Sequence, residues 1–254
     1  MIFLIGGSGL IGSGFTRYLK EKKIPFKNLN RENKKKFFNK KCDLVIDCNG
    51  NGSKRFGINN LQEDFISSVT TVVENLFKIK FKKYLYISTC QVYENLKNKN
   101  FTKENFFSDI NNINTYGFNK LIAESYVKKH ASQYLIVRLP YVIGPGLKRN
   151  PFFDLLNDNK SYLSLQSKIN CIHTDSIAEI TMGLIKKKIT GTFNIGSKNT
   201  IKISEIAKLL NLKKENLENN HQTLDINNID FNKIKKISKL PDAIFEAKKY
   251  LKIK

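Results

Sequence analysis

The stretch MIFLIGGSGLIGSG, residues 1–14, decides how the fold is read. Its apolar opening, MIFLI at 1–5, has the length and texture of a buried strand. Gly6, Gly9 and Gly12 follow in a G-x-x-G-x-x-G spacing that ends where a helical pattern begins. In such a turn the first glycine permits a tight bend and the second lets the backbone approach a pyrophosphate. The third allows a helix to pack closely on the strand, and the helix N-terminus carries the partial positive charge that attracts phosphate. A glycine-rich turn without a ligand is the competing reading, and the position between strand and helix argues against it. The segment lacks a basic stretch ahead of its apolar run, and its glycines fall where a signal peptide needs helix, so it reads as a core strand entering a loop.

Working outward, IPFKNL (24–29), DLVIDC (43–48), KYLYIS (83–88) and YLIVRL (134–139) repeat the short apolar run. Helical patterns separate them: one running to about residue 23, one from 62 to 80 and one opening near Tyr116. Apolar strands alternating with helices predict an α/β fold, a doubly wound parallel sheet (Rossmann) with helices on both faces. Only about a dozen residues lie between Asn30 and Asp43, too few for another strand with its crossover helix. After GPGLKRNP (144–151) the elements become short. Helices are expected near 151–156 and 175–187, a strand at TFNIG (192–196), and a helix over ISEIAKLL (203–210) with Ser204 as N-cap. A last helix follows Pro241, the polar stretch 211–228 reads as a loop, and no internal repeat is present. The expected organisation is a dinucleotide-binding core over 1–145, to which later segments return, and a smaller substrate-binding part over 146–254.

Composition narrows the class. The chain of 254 residues is 41% hydrophobic and 26% charged, ordinary for a globular protein able to bury a sizeable core. No run of 18 or more apolar residues occurs, so no transmembrane helix and no membrane partner are expected. The net charge of +22 raises the question of nucleic acid. Arginine, the better fork for phosphate and guanine, occurs only at Arg17, Arg31, Arg55, Arg138 and Arg149; the remaining basic residues are lysines scattered through every segment. That scatter reads as a solvated lysine-rich surface with no nucleic-acid stripe, one that still draws anionic ligands by long-range attraction. Cys42, Cys48, Cys90 and Cys171 show no CxxC spacing and no flanking histidines, which predicts free thiols in a reducing cytoplasm and no metal site.

Four features stand in order along the chain: the glycine loop, ISTCQVY (87–93), YGFNK (116–120) and VRLPYVIGPG (137–146). With them the sequence resembles the extended short-chain dehydrogenases/reductases of the nucleotide-sugar epimerase, dehydratase and reductase kind. The likeness runs on through CIHTDSIAEI (171–180) and GTFNIGSKNTIKISEIAKLL (191–210), and so covers most of the chain up to about Leu210. It implies hydride transfer between a nicotinamide dinucleotide and a carbonyl. The oxygen gains charge in that step and must receive a proton. Tyrosine, with its usual pKa near 10, is a poor base at neutral pH. Lys120 lies at i+4 from Tyr116, on the same helix face, and its ammonium is expected to lower the phenol's pKa. In the family this lysine also holds the nicotinamide ribose. Matched on the shared Val-Tyr at 92–93, the hydroxyl that orients the substrate oxygen is Thr89, with Ser88 its neighbour. Thr89, Tyr116 and Lys120 are thus the expected catalytic set.

For the cofactor the resemblance implicates Gly6, Ser8, Gly9, Leu10, Ile11 and Gly12, together with Asn49 and Gly50 of DCNGNG (47–52), Tyr116 and Lys120. At the end of the second strand an acidic residue binds a ribose 2′-hydroxyl, whereas arginine accommodates a 2′-phosphate. The sequence there is LNRENKK (29–35), with Asn30 and Arg31 in the expected place and Glu32 available if the register shifts by two. NADP(H) is therefore preferred, with Arg31 as its phosphate partner, and NAD(H) stays open.

Departures from the family sharpen the expectation. Sugar 4,6-dehydratases follow the threonine with an Asp-Glu pair, and this chain has Cys90 and Gln91, which excludes that elimination chemistry and leaves the two as candidate substrate contacts. Tyr141 stands where many epimerases place a substrate-binding asparagine. Lys148 and Arg149 are candidates for a substrate diphosphate or a plain exposed turn. The short 30–43 connection and Arg31 resemble reductases of deoxysugar pathways. His173 is either a substrate-side group or helix-start packing, Asp175 is expected to cap its helix, and His130 and His221 are expected at the surface without partners. Cys90 is either reactive or a packing residue. The leading reading is a reductase of a keto group on a nucleotide-activated sugar in surface-polysaccharide or deoxysugar synthesis, acting as a homodimer. An epimerase with tightly bound NAD, and a non-catalytic dinucleotide- or RNA-binding protein, are the alternatives.

Overall fold

The computed structural model describes residues 1–52, 54–158, 160–212, 217 and 223–252. His221 and half of the polar stretch 211–228 lie outside the described residues. The strands are β1 (Ile2–Ile5), β2 (Phe26–Leu29), β3 (Lys41–Asp47), β4 (Lys80–Thr89), β5 (Tyr134–Leu139), β6 (Tyr141–Ile143), β7 (Lys168–Ile169), β8 (Cys171–His173), β9 (Gly191–Asn194) and β10 (Ile201–Lys202). The α-helices are α1 (Leu10–Glu21), α2 (Lys54–Asn59), α3 (Leu61–Phe65), α4 (Thr71–Lys78), α5 (Thr115–His130), α6 (Pro151–Asp158), α7 (Thr174–Lys186), α8 (Ile203–Leu209), α9 (Asn232–Lys235) and α10 (Ala243–Leu251).

The main sheet runs β2-β1-β3-β4-β5-β9, every pairing parallel. Strands covered on both faces must be apolar throughout, and the core shows why. Leu4, Ile46, Leu85 and Val137 pack on one side with Phe15 and Leu19 of α1 and Ile177 and Ala178 of α7. Phe3, Val45, Tyr84, Tyr86 and Ile136 pack on the other with Val72 and Leu76 of α4 and Ala123 and Val127 of α5. A third cluster, including Ile143, Phe152, Leu163, Ile169, Ile201 and Ala247, belongs to the later chain. There β6 pairs with β8 and β7 with β10.

The connection after Asn30 holds a 3-10 turn, Lys34–Phe37, and no strand, so β3 returns directly beside β1. The strand order therefore reverses between β1 and β3, and the crevice at their carboxyl ends is where such sheets bind ligands. Three local expectations are corrected. The helix expected over 62–80 is divided by a π-helical turn, Ile66–Thr70, between α3 and α4. α8 is entered from Lys202, whose N–H donates to the Glu205 carboxylate at 2.7 Å; Ser204 lies inside the first turn and does not cap it. α7 is capped by His173, whose Nδ1 accepts from the Asp175 N–H at 3.2 Å, so Asp175 does not serve as the cap.

Candidate functional site

The glycine loop is built by contacts that exclude side chains. Gly6 has φ +74°, a conformation that favours glycine, and a Cβ there would stand 3.2 Å from the Cys48 carbonyl oxygen of the loop after β3. A Cβ on Gly12 would overlap the Gly6 carbonyl. The Gly9 N–H donates to that carbonyl at 3.0 Å, and Gly9 N-caps α1. Thr16 Oγ1 donates to the Gly7 carbonyl at 3.0 Å, and the Gly7 N–H donates to Asn28 Oδ1 at 3.2 Å. Ser8 and Gly9 face solvent, while Leu10 and Ile11 are half-buried. The first turn of α1 contains no acidic residue, so the positive end of a twelve-residue helix faces the crevice uncompensated. Backbone cradle and helix end together fit a dinucleotide's pyrophosphate.

At the end of β2, Asn30 Oδ1 accepts the N–H groups of Glu32 (3.1 Å) and Asn33 (2.9 Å). Its side chain thus shapes the turn that follows β2. Arg31 and Glu32 are both exposed on that turn. In the loop after β3, Asn49 Nδ2 donates to the Ser67 carbonyl of the π-turn at 3.1 Å. Gly50, with φ +112°, leaves room for Lys120, whose Nζ a Cβ would approach to 2.8 Å.

Thr89 closes β4, and its Oγ1 accepts the Gln91 N–H at 3.2 Å. Tyr116 enters from the first turn of α5, where Asn114 Oδ1 accepts the Gly117 N–H at 3.0 Å and Asn114 Nδ2 donates to Gln91 Oε1 at 3.1 Å. A Cβ on Gly117 would overlap the Gln91 carbonyl oxygen, so this glycine allows α5 to touch the end of β4. Burial pushes the Tyr116 phenol up to about 12; a hydrogen bond with Thr89 opposes the rise, and Asp64 and Cys90 add to it. The expected lowering by Lys120 is not seen. Lys120 Nζ instead donates to the carbonyls of Asn49 and Ile87, each at 3.3 Å, and stands 5.0 Å from the centre of the Tyr86 ring. Burial lowers the Lys120 pKa, opposed by Asp47, Asp64, Cys48 and Glu124.

Glu124 and Asp64 are among the buried carboxylates that escaped the sequence reading. Ser88 Oγ donates to Glu124 Oε1 at 2.7 Å, and Arg138 forks onto Glu124 through Nε (2.9 Å) and Nη2 (2.7 Å). Arg138 Nη1 donates to the Tyr93 hydroxyl at 2.9 Å, which in turn donates to Asn194 Oδ1 at 2.8 Å. This network stitches β4, α5, β5 and β9 together beneath the site. Burial alone would raise the Glu124 pKa, and Arg138, Lys128 and Ser88 outweigh it and hold it low. The spacing of Tyr116, Lys120 and Glu124 at i, i+4 and i+8 was the available signal, a polar stripe on one helix face. Asp64 is likewise fully buried, and it accepts from Asn119 Nδ2 (2.7 Å), Asn51 Nδ2 (3.0 Å) and Ser68 Oγ (3.2 Å).

The expected substrate-side residues differ in burial and in partners. Cys90 is 2% exposed within the main core, and burial drives its thiol far above its usual range, so packing describes it and reactivity does not. Gln91 is half-buried and engaged by Asn114. The Tyr141 hydroxyl donates to Asp225 Oδ2 at 2.7 Å, and burial followed by Asp225 raises its pKa. Lys148 and Arg149 are exposed between β6 and α6. The His173 pKa is pushed down to about 4 by burial, then by Lys249, with Arg17 adding to the fall and Asp175 opposing it. Its 3.5 Å approach to the Asp175 carboxylate is therefore no ion pair at neutral pH. Asp175 instead receives Arg17 Nε at 2.8 Å, tying α1 to α7. His130 is exposed as expected, yet it has partners, for its ring meets Phe77 at 4.8 Å and Tyr126 at 6.0 Å. Among the described residues no cluster of three His, Cys, Asp or Glu suited to a metal occurs, and no helix is long and apolar enough to cross a membrane.

The sequence profile of the NAD dependent epimerase/dehydratase family matches residues 2–157. No curated protein matches the sequence. Among solved structures, a dTDP-4-dehydrorhamnose reductase from Clostridium acetobutylicum is similar at 18% identity, with 99% of this chain and 98% of that chain covered and a TM-score of 0.77. A UDP-glucuronic acid 4-epimerase from Bacillus cereus, in complex with UDP-glucuronic acid and NAD, is similar at 18% identity, with 99% and 98% covered and a TM-score of 0.79. A dTDP-4-dehydrorhamnose reductase from Bacillus anthracis in complex with NADP is similar at 13% identity, with 98% and 96% covered and a TM-score of 0.74. At these identities the likeness is one of fold.

Proposed function

Because the chain belongs to the NAD dependent epimerase/dehydratase family, we propose that it is an NAD(P)-dependent oxidoreductase that reduces a keto group of a nucleotide-activated sugar. The observation that carries this reading is the convergence of Thr89, Tyr116 and Lys120 beside the glycine cradle. Gly6, Gly9 and Gly12 with the α1 N-terminus would hold the dinucleotide's pyrophosphate, and Asn49 with Gly50 would line its adenosine side. Bound there, the nicotinamide supplies the hydride. Thr89 orients the carbonyl oxygen through its hydroxyl, and Tyr116 Oη delivers the proton. A phenol whose pKa burial raises to about 12 is protonated at neutral pH and can act as a donor. Lys120 anchors the loop after β3 through the Asn49 carbonyl, and in this reading it would bind the nicotinamide ribose. Neither Cys90 nor Gln91 supplies the acid that a dehydration needs.

NADP(H) is the preferred cofactor in this reading, supported by the exposed Arg31 and by the absence of an acidic side chain at the last residue of β2. Pairing of two copies through α4 and α5 is supported by the exposed Phe77 (58%) and Tyr126 (40%), which flank His130 between those helices. Four free cysteines fit a reducing compartment. The test is NADPH consumption at 340 nm against a panel of keto-nucleotide sugars. Oxidation that depends on added NADPH supports the reductase. Protein purified with bound NAD that interconverts sugars without added cofactor replaces it with the epimerase.

A further inference from the structure

Asp64 belongs to no pattern that the sequence singles out, yet it stands where four elements meet. Its Oδ2 takes the 2.7 Å hydrogen bond from Asn119, the residue on α5 immediately before Lys120. Its Oδ1 takes those of Asn51, two residues beyond the carbonyl that receives Lys120 Nζ, and of Ser68 in the π-turn. From α2, Gly57 presents no side chain; a Cβ there would lie 3.0 Å from the Tyr116 Cβ and 3.1 Å from Asp64 Oδ2. The carboxylate and the phenol-bearing residue thus share one wall. The π-turn contributes both the Ser68 hydroxyl and the Ser67 carbonyl that holds Asn49. Such turns recur at functional sites because the extra residue redirects backbone groups.

We infer that Asp64 is a positioning residue for the Tyr116–Lys120 pair: its buried carboxylate clamps α5 and the loop after β3 to the π-turn and lays a negative charge beside both side chains. The inference rests on the reading of Tyr116 as proton donor. Tyr116 faces Thr89 and Cys90 from the end of β4, Tyr86 from within β4, and Asp64 from α3. Lys120 faces Asp47 and Cys48 from β3 and its loop, Asp64 from α3, and Glu124 from its own helix. In this set Asp64 is the carboxylate whose charge acts on both members of the pair. It helps keep the phenol protonated, and it favours the charged ammonium of a lysine that burial pushes toward neutrality.

The test needs no turnover, so it is separable from the proposed reaction. Protein carrying 13Cζ-labelled tyrosine is titrated by NMR, with Tyr116→Phe assigning the Tyr116 resonance. Two neutral variants, Asp64→Asn and the smaller Asp64→Ser, are compared with the wild-type chain, so that the titration is read in whichever of them folds. The expected result is that Tyr116 ionises at lower pH in the variant, with NADPH affinity, read by fluorescence, weakened several-fold. If the chain is also active, the alkaline limb of its rate profile moves in the same direction. A Tyr116 titration that stays at its wild-type position, with only the melting temperature lowered, overturns the proposal and leaves Asp64 a packing residue. Failure of every keto-sugar to react, with the titration shifted as expected, would sink the reductase reading and leave the role of Asp64 standing.

Discussion

The end of the sheet that holds Thr89, Tyr116 and Lys120 and the surface turns that hold Arg31, Lys148 and Arg149 lie under opposite physical regimes. In the first, each side chain is buried and tied to named partners on neighbouring elements. In the second, the cations are exposed. Reaction chemistry needs pre-organised donors in a site of low dielectric, where each hydrogen bond counts for more. Recognition of an anionic ligand tolerates exposed charge that becomes ordered on contact. The contrast teaches that the fold pre-organises the residues proposed for proton transfer and leaves the candidate anion contacts at its rim.

The largest expected effect attacks the buried side. Tyr116→Phe removes the proposed proton donor and should cut turnover by about a hundred- to ten-thousand-fold while dinucleotide binding persists. Steady-state rates beside fluorescence titration check this. Glu124→Ala strips Arg138 of its buried partner and should cost about 3–5 kcal/mol of stability, read by denaturant unfolding. Gly117→Ala forces α5 away from the Gln91 carbonyl, for about 1–3 kcal/mol of stability and a matching fall in activity. A stability loss without any fall in activity would break the link between that contact and the site.

A smaller effect concerns pH. His173 has its folded pKa depressed to about 4 from 6.5, so the unfolded chain binds the extra proton first on acidification. Stability should therefore decline as pH falls from 6.5 toward 4. His173→Asn, which keeps an acceptor for the α7 cap, should flatten that part of the thermal-melt profile. Smallest of all, on the exposed side, Arg31→Ala should raise the Michaelis constant for NADPH about tenfold and leave that for NADH unchanged. Equal behaviour of the two cofactors in that variant would remove Arg31 from the account.

Much of this was legible in the chain because it depends on local pattern. The apolar runs of β1, β3, β4 and β5 and the spacing of Gly6, Gly9 and Gly12 announce a parallel sheet with a cradle at its reversal point. The short stretch after Asn30 likewise announced that no strand intervenes before β3. What stayed hidden is set by contacts between distant residues. Asp64 and Glu63 look alike in sequence, and only the meeting of α3 with Asn51 and Asn119 buries one and leaves the other exposed. Glu124 and Arg138 lie on a helix and a strand, and their pairing follows from the sheet order. His173 displaced Asp175 as the α7 cap because Arg17, brought in by α1, claims the carboxylate. The sign of the Tyr116 shift was missed for a related reason: i+4 spacing puts Lys120 on the right face, and the carbonyls of Asn49 and Ile87 then take up its ammonium.

The central claim is that Tyr116 protonates a carbonyl as the nicotinamide delivers hydride to the adjacent carbon. The most direct measurement supplies NADPH deuterated at the transferring position with a keto-nucleotide sugar and reads the product by mass spectrometry. The account predicts one deuterium in the sugar for each NADPH oxidised by the wild-type chain, and none formed by Tyr116→Phe over the same time. Sugar conversion without label, or labelling that persists undiminished in Tyr116→Phe, would contradict it.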